Sequence, residues 1–524
     1  MGRSVRARRI RGGRKCGHDV FWSAYEPYWR SIVGGVLVDF MDRYRALAEL
    51  PMEGGYPTSD AAEALAAELF FQRAVQVYLW ALPAVNLFAM RESIGHDFGH
   101  GYNVMAVYEK RLKPNTAITT PNSDVIYGLC FVDLSETGPL VIEAPERVQG
   151  LVDDAWHRPL PGPRIEEVQY LADIGIPGPD QGKGGKYLIV REGDDPGVDQ
   201  SGYYVFTSPT NGIYLLLRGF FRSVDDLAPG VASIEGITLR PLHGPAEPMV
   251  HAHASDVCAD AIFAHDFSYF EMLDRMIQSE RDDRIDPYMH GVLAALGIRR
   301  GRTFAPTGRQ RELLDLAAKT AWRMAKRIAA DFDRGEDALW WADRHWIAHA
   351  RTRTDDFYRT LLDETFRDRD TGHTDVDAKA HMFINHFSIS TGMMSVTPGK
   401  GAKYCNAYKD SDGRYLRGEN TYRIDLPAGP PASILWSLTI YDAETASGVD
   451  ADGQTYPSLN SMDPITGNDD GTYTIHVGPQ RPREATNWLK TVPGRGWFGL
   501  LRWYGPQPEF FDRRYKPGDF VRIE

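Results

Sequence analysis

The sequence predicts a multi-domain α+β protein in which two β-rich stretches flank a helical one. Three observations carry this. The chain has 524 residues, and a single hydrophobic core stops growing at roughly 250–300 residues, so two or three domains are expected. Short runs with period-two alternation, broken by Gly and Pro clusters, fill two separate regions. Between those regions apolar residues recur at a spacing of three to four.

Residues 1–50 read as an N-terminal extension, partly disordered. Arg3, Arg6, Arg8, Arg9, Arg11, Arg14 and Lys15 make it basic. A secretory leader would continue into an apolar run, but His18, Asp19, Ser23, Glu26 and Arg30 follow instead. The apolar stretch from Ile32 to Val38 is short and holds two glycines. Nothing approaches the roughly 18 apolar residues of a membrane span, so a cytoplasmic protein is expected.

Residues 51–102 form a helical segment, with a helix predicted over 60–92. Asp60 is placed to cap it, with Glu63 at capping-box spacing. Leu65, Leu69, Val75, Leu79 and Leu82 supply an apolar stripe, and Pro83 should kink or interrupt it. Residues 103–250 form the first β-rich domain, its short runs including Val125 to Leu129, Tyr187 to Ile189 and Tyr214 to Leu216. Residues 251–350 are helical again. Phe263, Phe267, Phe270, Leu273 and Ile277 share a face, and Thr307 caps a second helix carrying Leu313, Leu316, Ala317, Thr320 and Met324. The charged stretch 351–375 reads as an exposed connector. Residues 376–524 form a C-terminal β-sandwich domain, in which Tyr422, Ile424 and Leu426, and Tyr473, Ile475 and Val477, alternate with polar neighbours. Asp412-Gly413 and Asp470-Gly471 mark turns.

Composition narrows the function. A net charge of −12 disfavours nucleic acid, which demands a basic face. The cysteines, Cys16, Cys130, Cys258 and Cys405, are far apart and form no C-x-x-C, so buried free thiols are expected. There is no G-x-S-x-G, no P-loop, and no G-x-G-x-x-G opening a helix, so neither a hydrolase elbow nor a nucleotide cofactor is expected.

The block Thr119 to Tyr127 (TTPNSDVIY) resembles the hallmark of the family called domain of unknown function 1254. Trp156-His157-Arg158-Pro159 and the loop Gly178 to Tyr187 agree with it. Further on, Trp436 to Asp442, Asn487-Trp488-Leu489 and Leu501 to Pro506 are similar to the partner family, domain of unknown function 1214. The resemblance spans roughly residues 50–345 and 375–523. It implies two β-rich domains, the second jelly-roll-like, with a helical domain between or beside them. It implies no reaction. Members often begin with a secretory signal, which this chain lacks in convincing form.

Several residue groups can carry chemistry. Asp124, Asn122 and Tyr127 suit a catalytic turn, with Asp124 as general base, but Asn122-Ser123-Asp124 also suits a plain Asx turn. Lys183 and Lys186, in a Gly-rich loop, can face an anion or merely decorate a hairpin. Trp156 is a candidate ligand contact. Trp436, Tyr441, Trp488, Trp497, Trp503 and Tyr504 either stack on a flat ligand or pack a core. Arg218 and Arg502 each interrupt an apolar strand. They need partners, either as the floor of a pocket or as pairs with Glu143 or Asp442. No full metal set is present. His345 and His349, four apart in an expected helix, are the first pair to suspect, so a metal is possible but not favoured. Two readings follow. One is an enzyme for a small organic substrate in an interdomain cleft; the other is a binding or structural protein for a carbohydrate, a lipid-like ligand or a partner chain. A homo-oligomer is compatible with both.

Overall fold

A computed structural model of the chain describes residues 30–33, 36–166, 168–281, 285–332, 339–348, 366, 371–394 and 397–523. Most of the basic extension, most of the 351–375 connector, Cys16 and His349 lie outside the described residues. The protein is α+β. Two compact units divide between Phe71 and Gln72.

The first unit holds a hairpin (Arg30–Val33 with Val36–Asp39), a helix (Phe40–Ala48) and a second hairpin (Met52–Glu53 with Tyr56–Pro57). The second hairpin turns on Gly54 and Gly55 at φ +58° and +90°, a tight reversal that only glycine takes without strain. The helix Ser59–Phe98 begins in this unit, one residue before Asp60. It is not interrupted at Pro83, where Ala81, Leu82, Ala84 and Val85 are all fully buried. Tertiary packing overrides the missing N–H. Leu65 and Leu69, expected on the buried stripe, are exposed.

The second unit holds two β-sandwiches and the helices between them in sequence. In the first β region a six-stranded sheet runs in the order Asp173–Gly175, Gln149–Asp154, Gly212–Gly219, Ile126–Asp133, Val104–Tyr108, Val250–His253. A four-stranded sheet runs Tyr204–Ser208, Gly185–Arg191, Leu140–Ala144, Thr238–Pro241. Cys130, Val132, Leu215 and Leu217 of the first sheet share one core with Ile142, Tyr187 and Ile189 of the second. Since strand side chains alternate, Tyr127, Phe131, Tyr214 and Arg218 point to the opposite face.

The C-terminal region repeats this arrangement. A five-stranded sheet (Ile347–Ala348, Ala402–Ala407, Trp497–Pro506, Ala432–Asp442, Ser458–Asn460) packs on a four-stranded one (Asn487–Lys490, Tyr473–Gly478, Tyr422–Leu426, Val521–Arg522). Trp436, Leu438, Ile440, Leu501 and Trp503 meet Ile424, Ile475, Val477 and Leu489 in the shared core. Alternation again sends Thr439, Tyr441, Arg502, Tyr504 and Tyr404 to the other face. Among the described residues neither region closes into a barrel.

After the first sandwich in sequence come the helices Ser268–Ser279, Pro287–Leu296, Gly308–Ala330 and Val376–Asn385. Phe270, Leu273 and Ile277 are buried as expected, while Phe263 and Phe267 precede their helix. Thr307 caps Gly308–Ala330 in a full capping box with Gln310. The buried face of that helix differs from the expected stripe. Leu316 and Met324 are exposed, and Leu314, Ala317, Ala318, Ala321, Ala325 and Ala329 are buried. Alanine allows close helix approach, so a small-residue seam takes precedence over larger side chains. Cys130 and Cys405 are buried free thiols, but Cys258 is exposed.

Candidate functional site

The outer faces of the two larger sheets meet, and each contributes one arginine. Arg218 stands opposite Tyr127 in the first sheet. Arg502 stands between Tyr404 and Ser437 in the second. Together with Thr120, Asn122, His386, Phe387, Met393, Leu500 and Tyr504 they line a cavity of about 40 Å3. That is room for roughly three water-sized spheres, or one small head group.

The loop before Ile126 supplies the polar rim. Asn122 Oδ1 accepts the Asp124 N–H at 2.8 Å, closing the Asx turn, and its Nδ2 donates to the Tyr504 hydroxyl. Thr120 sits at φ +42°, where a β-branched residue is strained. It is held there because its N–H donates to the Ala446 carbonyl at 2.6 Å and its hydroxyl meets His386 Nδ1 at 2.9 Å. Asn406 Nδ2 donates to His386 Nε2 at 3.3 Å, which leaves Nδ1 as the donor to Thr120.

Both guanidiniums are buried, Arg218 to 6% and Arg502 to 3% exposure. Arg502 donates to the Thr439 hydroxyl at 2.8 Å, to the Tyr441 hydroxyl at 2.5 Å and to the Thr120 carbonyl at 3.4 Å. Arg218 Nη2 lies 3.9 Å from Met393 Sδ, and its Nε has no hydrogen-bond partner among the described residues. Among the described residues neither arginine makes an ion pair there. Glu143 serves Lys186 and Arg240, and Asp442 serves Arg495, so the pairs considered for Arg218 and Arg502 do not form. Burial works against both charges. Nearby phenol oxygens, those of Tyr404 and Tyr127 for Arg218 and those of Tyr441 and Tyr504 for Arg502, act in the opposite direction as neutral acceptors.

Residues 102–241 match the model of the protein family of unknown function DUF1254, and residues 401–508 match that of DUF1214. The two matches fall on one chain in the order of the paired families. Arg218, Asn122 and Tyr127 thus come from the DUF1254 region, and Tyr404, Arg502 and Tyr504 from the DUF1214 region. His386 and Met393 come from the segment between. Among solved structures, the VPA0106 protein from Vibrio parahaemolyticus is similar at 16% identity and TM-score 0.49, over 87% of this chain and 100% of that one. An uncharacterized protein from Burkholderia cenocepacia is similar at 12% identity and TM-score 0.39, over 92% and 98% of the two chains. No curated protein matches.

The remaining sequence candidates lie elsewhere. Asp124 is fully buried beside the cavity rather than in its lining. Its Oδ1 accepts from Ser458 and Asn460, each at 3.0 Å, tying the DUF1254 loop to a DUF1214 strand. Lys183 and Lys186 are exposed, and neither lines the cavity. The loop that holds Lys183 turns its Gly182 N–H onto Asp180 instead. Trp156 lines a different cavity. His345 precedes a two-residue strand and is not helical, and among the described residues no group of three His, Cys, Asp or Glu can hold a metal. Trp436, Trp497 and Trp503 are core residues.

Sequence reasoning singled out Arg218 but did not rank it with Arg502. It passed over Thr120 and Tyr404 as site residues, and weighed Tyr504 only as a stacking or core aromatic. The signal was available: a charged residue at an alternating position of an otherwise apolar strand, twice, with tyrosines in phase.

Behind Arg218 lie two more buried acids. Burial pushes the Asp153 carboxyl well up and that of Asp173 to about 6, against hydrogen bonds from the Ile389 and Gly392 N–H groups. Burial brings the Lys403 amine down to about 7, opposed by Asp173. These carboxyls are therefore weakened as counter-charges for Arg218.

Proposed function

We propose that the protein recognises a small oxyanion or carboxylate in the cavity between the DUF1254 and DUF1214 regions. One observation carries this: two buried guanidiniums line one small cavity whose lining residues include no carboxylate. Asp153 and Asp173 near Arg218 and Asp124 near Arg502 stand outside that lining; a buried charge without a counter-charge in contact is costly by several kcal/mol, and a bound anion relieves that cost. Guanidinium forks match the planar, bidentate geometry of a carboxylate. In the enzyme reading, the anion is the handle of a small organic acid, and the Tyr127 hydroxyl and Asn122 amide are the groups placed to orient it or exchange a proton. Asp124 then acts by fixing the Asn122 turn.

Isothermal titration with formate, acetate, sulfate and phosphate, at fixed ionic strength against chloride, tests this. One equivalent of at least one anion should bind. Arg502→Met and Arg218→Met should each weaken it by about tenfold or more, as expected when a charge-assisted hydrogen bond is lost. Equal binding by the wild type and both variants would sink the proposal. Turnover that falls in Tyr127→Phe while anion binding persists would favour the enzyme over the binding protein.

A further inference from the structure

Three buried ionisable groups fasten one short segment beside the arginine cavity. His386, Phe387 and Met393 of the cavity lining belong to a single stretch of chain. Within it, the Ile389 N–H donates to Asp153 Oδ2 at 3.3 Å and the Gly392 N–H to Asp173 Oδ2 at 2.7 Å. Lys403 Nζ donates to the Met393 carbonyl at 2.5 Å. Asp153, Asp173 and Lys403 are all buried.

Both acids share the outer face of the six-stranded sheet with Arg218. Their neighbours Val152 and Ile174 point into the core, and strand side chains alternate. Asp173 stands opposite Leu151, and Leu151 opposite Leu216, two residues before Arg218. Asp173 and Arg218 therefore act on each other through protein, where screening is weak. Among the described residues, the other charged and titratable groups around Asp173 are Asp153 on its own sheet and Lys403 and Tyr404 on Ala402–Ala407. Asp154 is taken up by Arg158 at 2.6 Å, and burial keeps His157, 3.8 Å from Asp153, neutral. The segment Ser388–Met393 brings no ionisable side chain.

An anion between Arg218 and Arg502 brings a negative charge to the guanidinium that Asp173 also faces. Two like charges in one buried site disfavour each other, and the carboxyl is the group that can neutralise itself. A neutral carboxyl still accepts the Gly392 N–H, and the Ser390 hydroxyl bonded to Asp173 accepts as readily as it donates. The proton thus arrives without releasing the segment. We propose that anion binding in the arginine cavity draws one proton onto Asp173, so that the site takes its ligand with a proton and releases it as pH rises. This rests on the anion reading above and gives that site a pH control. Burial already raises the Asp173 carboxyl to about 6, which places the control near neutral pH. Below that value Asp173 holds its proton before the anion arrives; above it, the anion must bring one in.

Formate and sulfate are the probes, both ionised throughout the range from about pH 6 to about pH 8. In a pH-stat, weakly buffered whole chain should take up as much as about one proton per anion bound near about pH 6.5, and the calorimetric Kd should weaken by up to about tenfold per pH unit above about pH 6. Infrared difference spectra should show a protonated carboxyl stretch rising on binding. Asp173→Asn, which keeps an oxygen for the Gly392 N–H, should bind more tightly than the wild type at about pH 7.5 and lose most of the uptake. Glu280→Gln, whose carboxyl serves Gly212 at the far end of Arg218's strand, should leave the pH profile of binding unchanged. Anion binding without proton uptake, without the infrared signal, or with uptake undiminished in Asp173→Asn would overturn the coupling and leave the anion reading standing. Absence of binding by either probe at every pH would sink the anion reading and the coupling with it.

Discussion

Arginine at positions 218 and 502 carries a burial cost that a leucine there would not, and that cost is what the proposed anion would relieve. A second residue shows how burial alone sets a pH response. Glu280 accepts the Asn211 and Gly212 N–H groups at 2.8 and 2.9 Å, which favours its charged form. Desolvation outweighs those bonds and raises its pKa from 4.5 to about 7. Between those values the folded chain keeps a proton that the unfolded chain has released. Stability must therefore fall as pH rises through that window, and level off above it. The full effect is on the order of 3 kcal/mol, at about 1.4 kcal/mol per pKa unit. Urea midpoints of the wild type should decline from about pH 5 to about pH 7, and Glu280→Gln should flatten part of that decline. An unchanged slope would mean that the carboxyl ionises normally. Asp173, with its own raised pKa, contributes in the same direction and remains in the variant.

Elements in this chain are held by devices whose removal has a stated cost. The Thr307 hydroxyl accepts the Gln310 N–H at 3.3 Å, and Gln310 returns a bond to the Thr307 N–H at 2.9 Å. Thr307→Ala should destabilise by about 1 kcal/mol, seen as a lowered denaturation midpoint with spectra intact. Gly401 has φ +66°, and a Cβ there would fall 1.7 Å from the Gly392 carbonyl oxygen. Gly392 in turn donates its N–H to Asp173 at 2.7 Å, one residue from Met393 of the arginine cavity. Backbone meets backbone, so nothing flexible can yield. Gly401→Ala should cost more than about 2 kcal/mol and weaken anion binding, whereas Gly429→Ala, which meets nothing within 4 Å, should keep anion binding intact. Period and capping were readable in these elements, as Thr307 shows. The buried face of Gly308–Ala330 was not, because Leu316 and Met324 fit the stripe as well as the alanines do, and only the neighbouring helix decides.

At the scale of the molecule, the DUF1254 and DUF1214 regions are tied by buried polar bonds. Arg111 donates to Asp463 at 2.6 and 3.2 Å and to the Ser123 carbonyl at 2.6 Å, joining positions far apart in the chain. Arg111→Met leaves Asp463 without its partner and should cost about 3–5 kcal/mol in chemical denaturation. A cost below about 1 kcal/mol would show that the regions hold together without this tie. Because Arg218 and Arg502 come from different regions, a bound anion should also stabilise the whole by about 2.7 kcal/mol at a hundredfold excess over Kd, seen as a raised melting temperature. Among the described residues no helix is long and apolar enough to cross a membrane. The α+β class, the two strand-rich regions and the helices between them were all legible in the sequence, because period two and period 3.6 are local properties of the chain. So was the oddity of a charged residue within each of two apolar strands. Which charges converge was settled only by tertiary structure. Asn122, Tyr127 and Arg502 share one cavity, while Asp124, Trp156, Lys183 and Lys186 do not. The physical reason is that a strand fixes which face a side chain takes, but the packing of two sheets decides what that face meets.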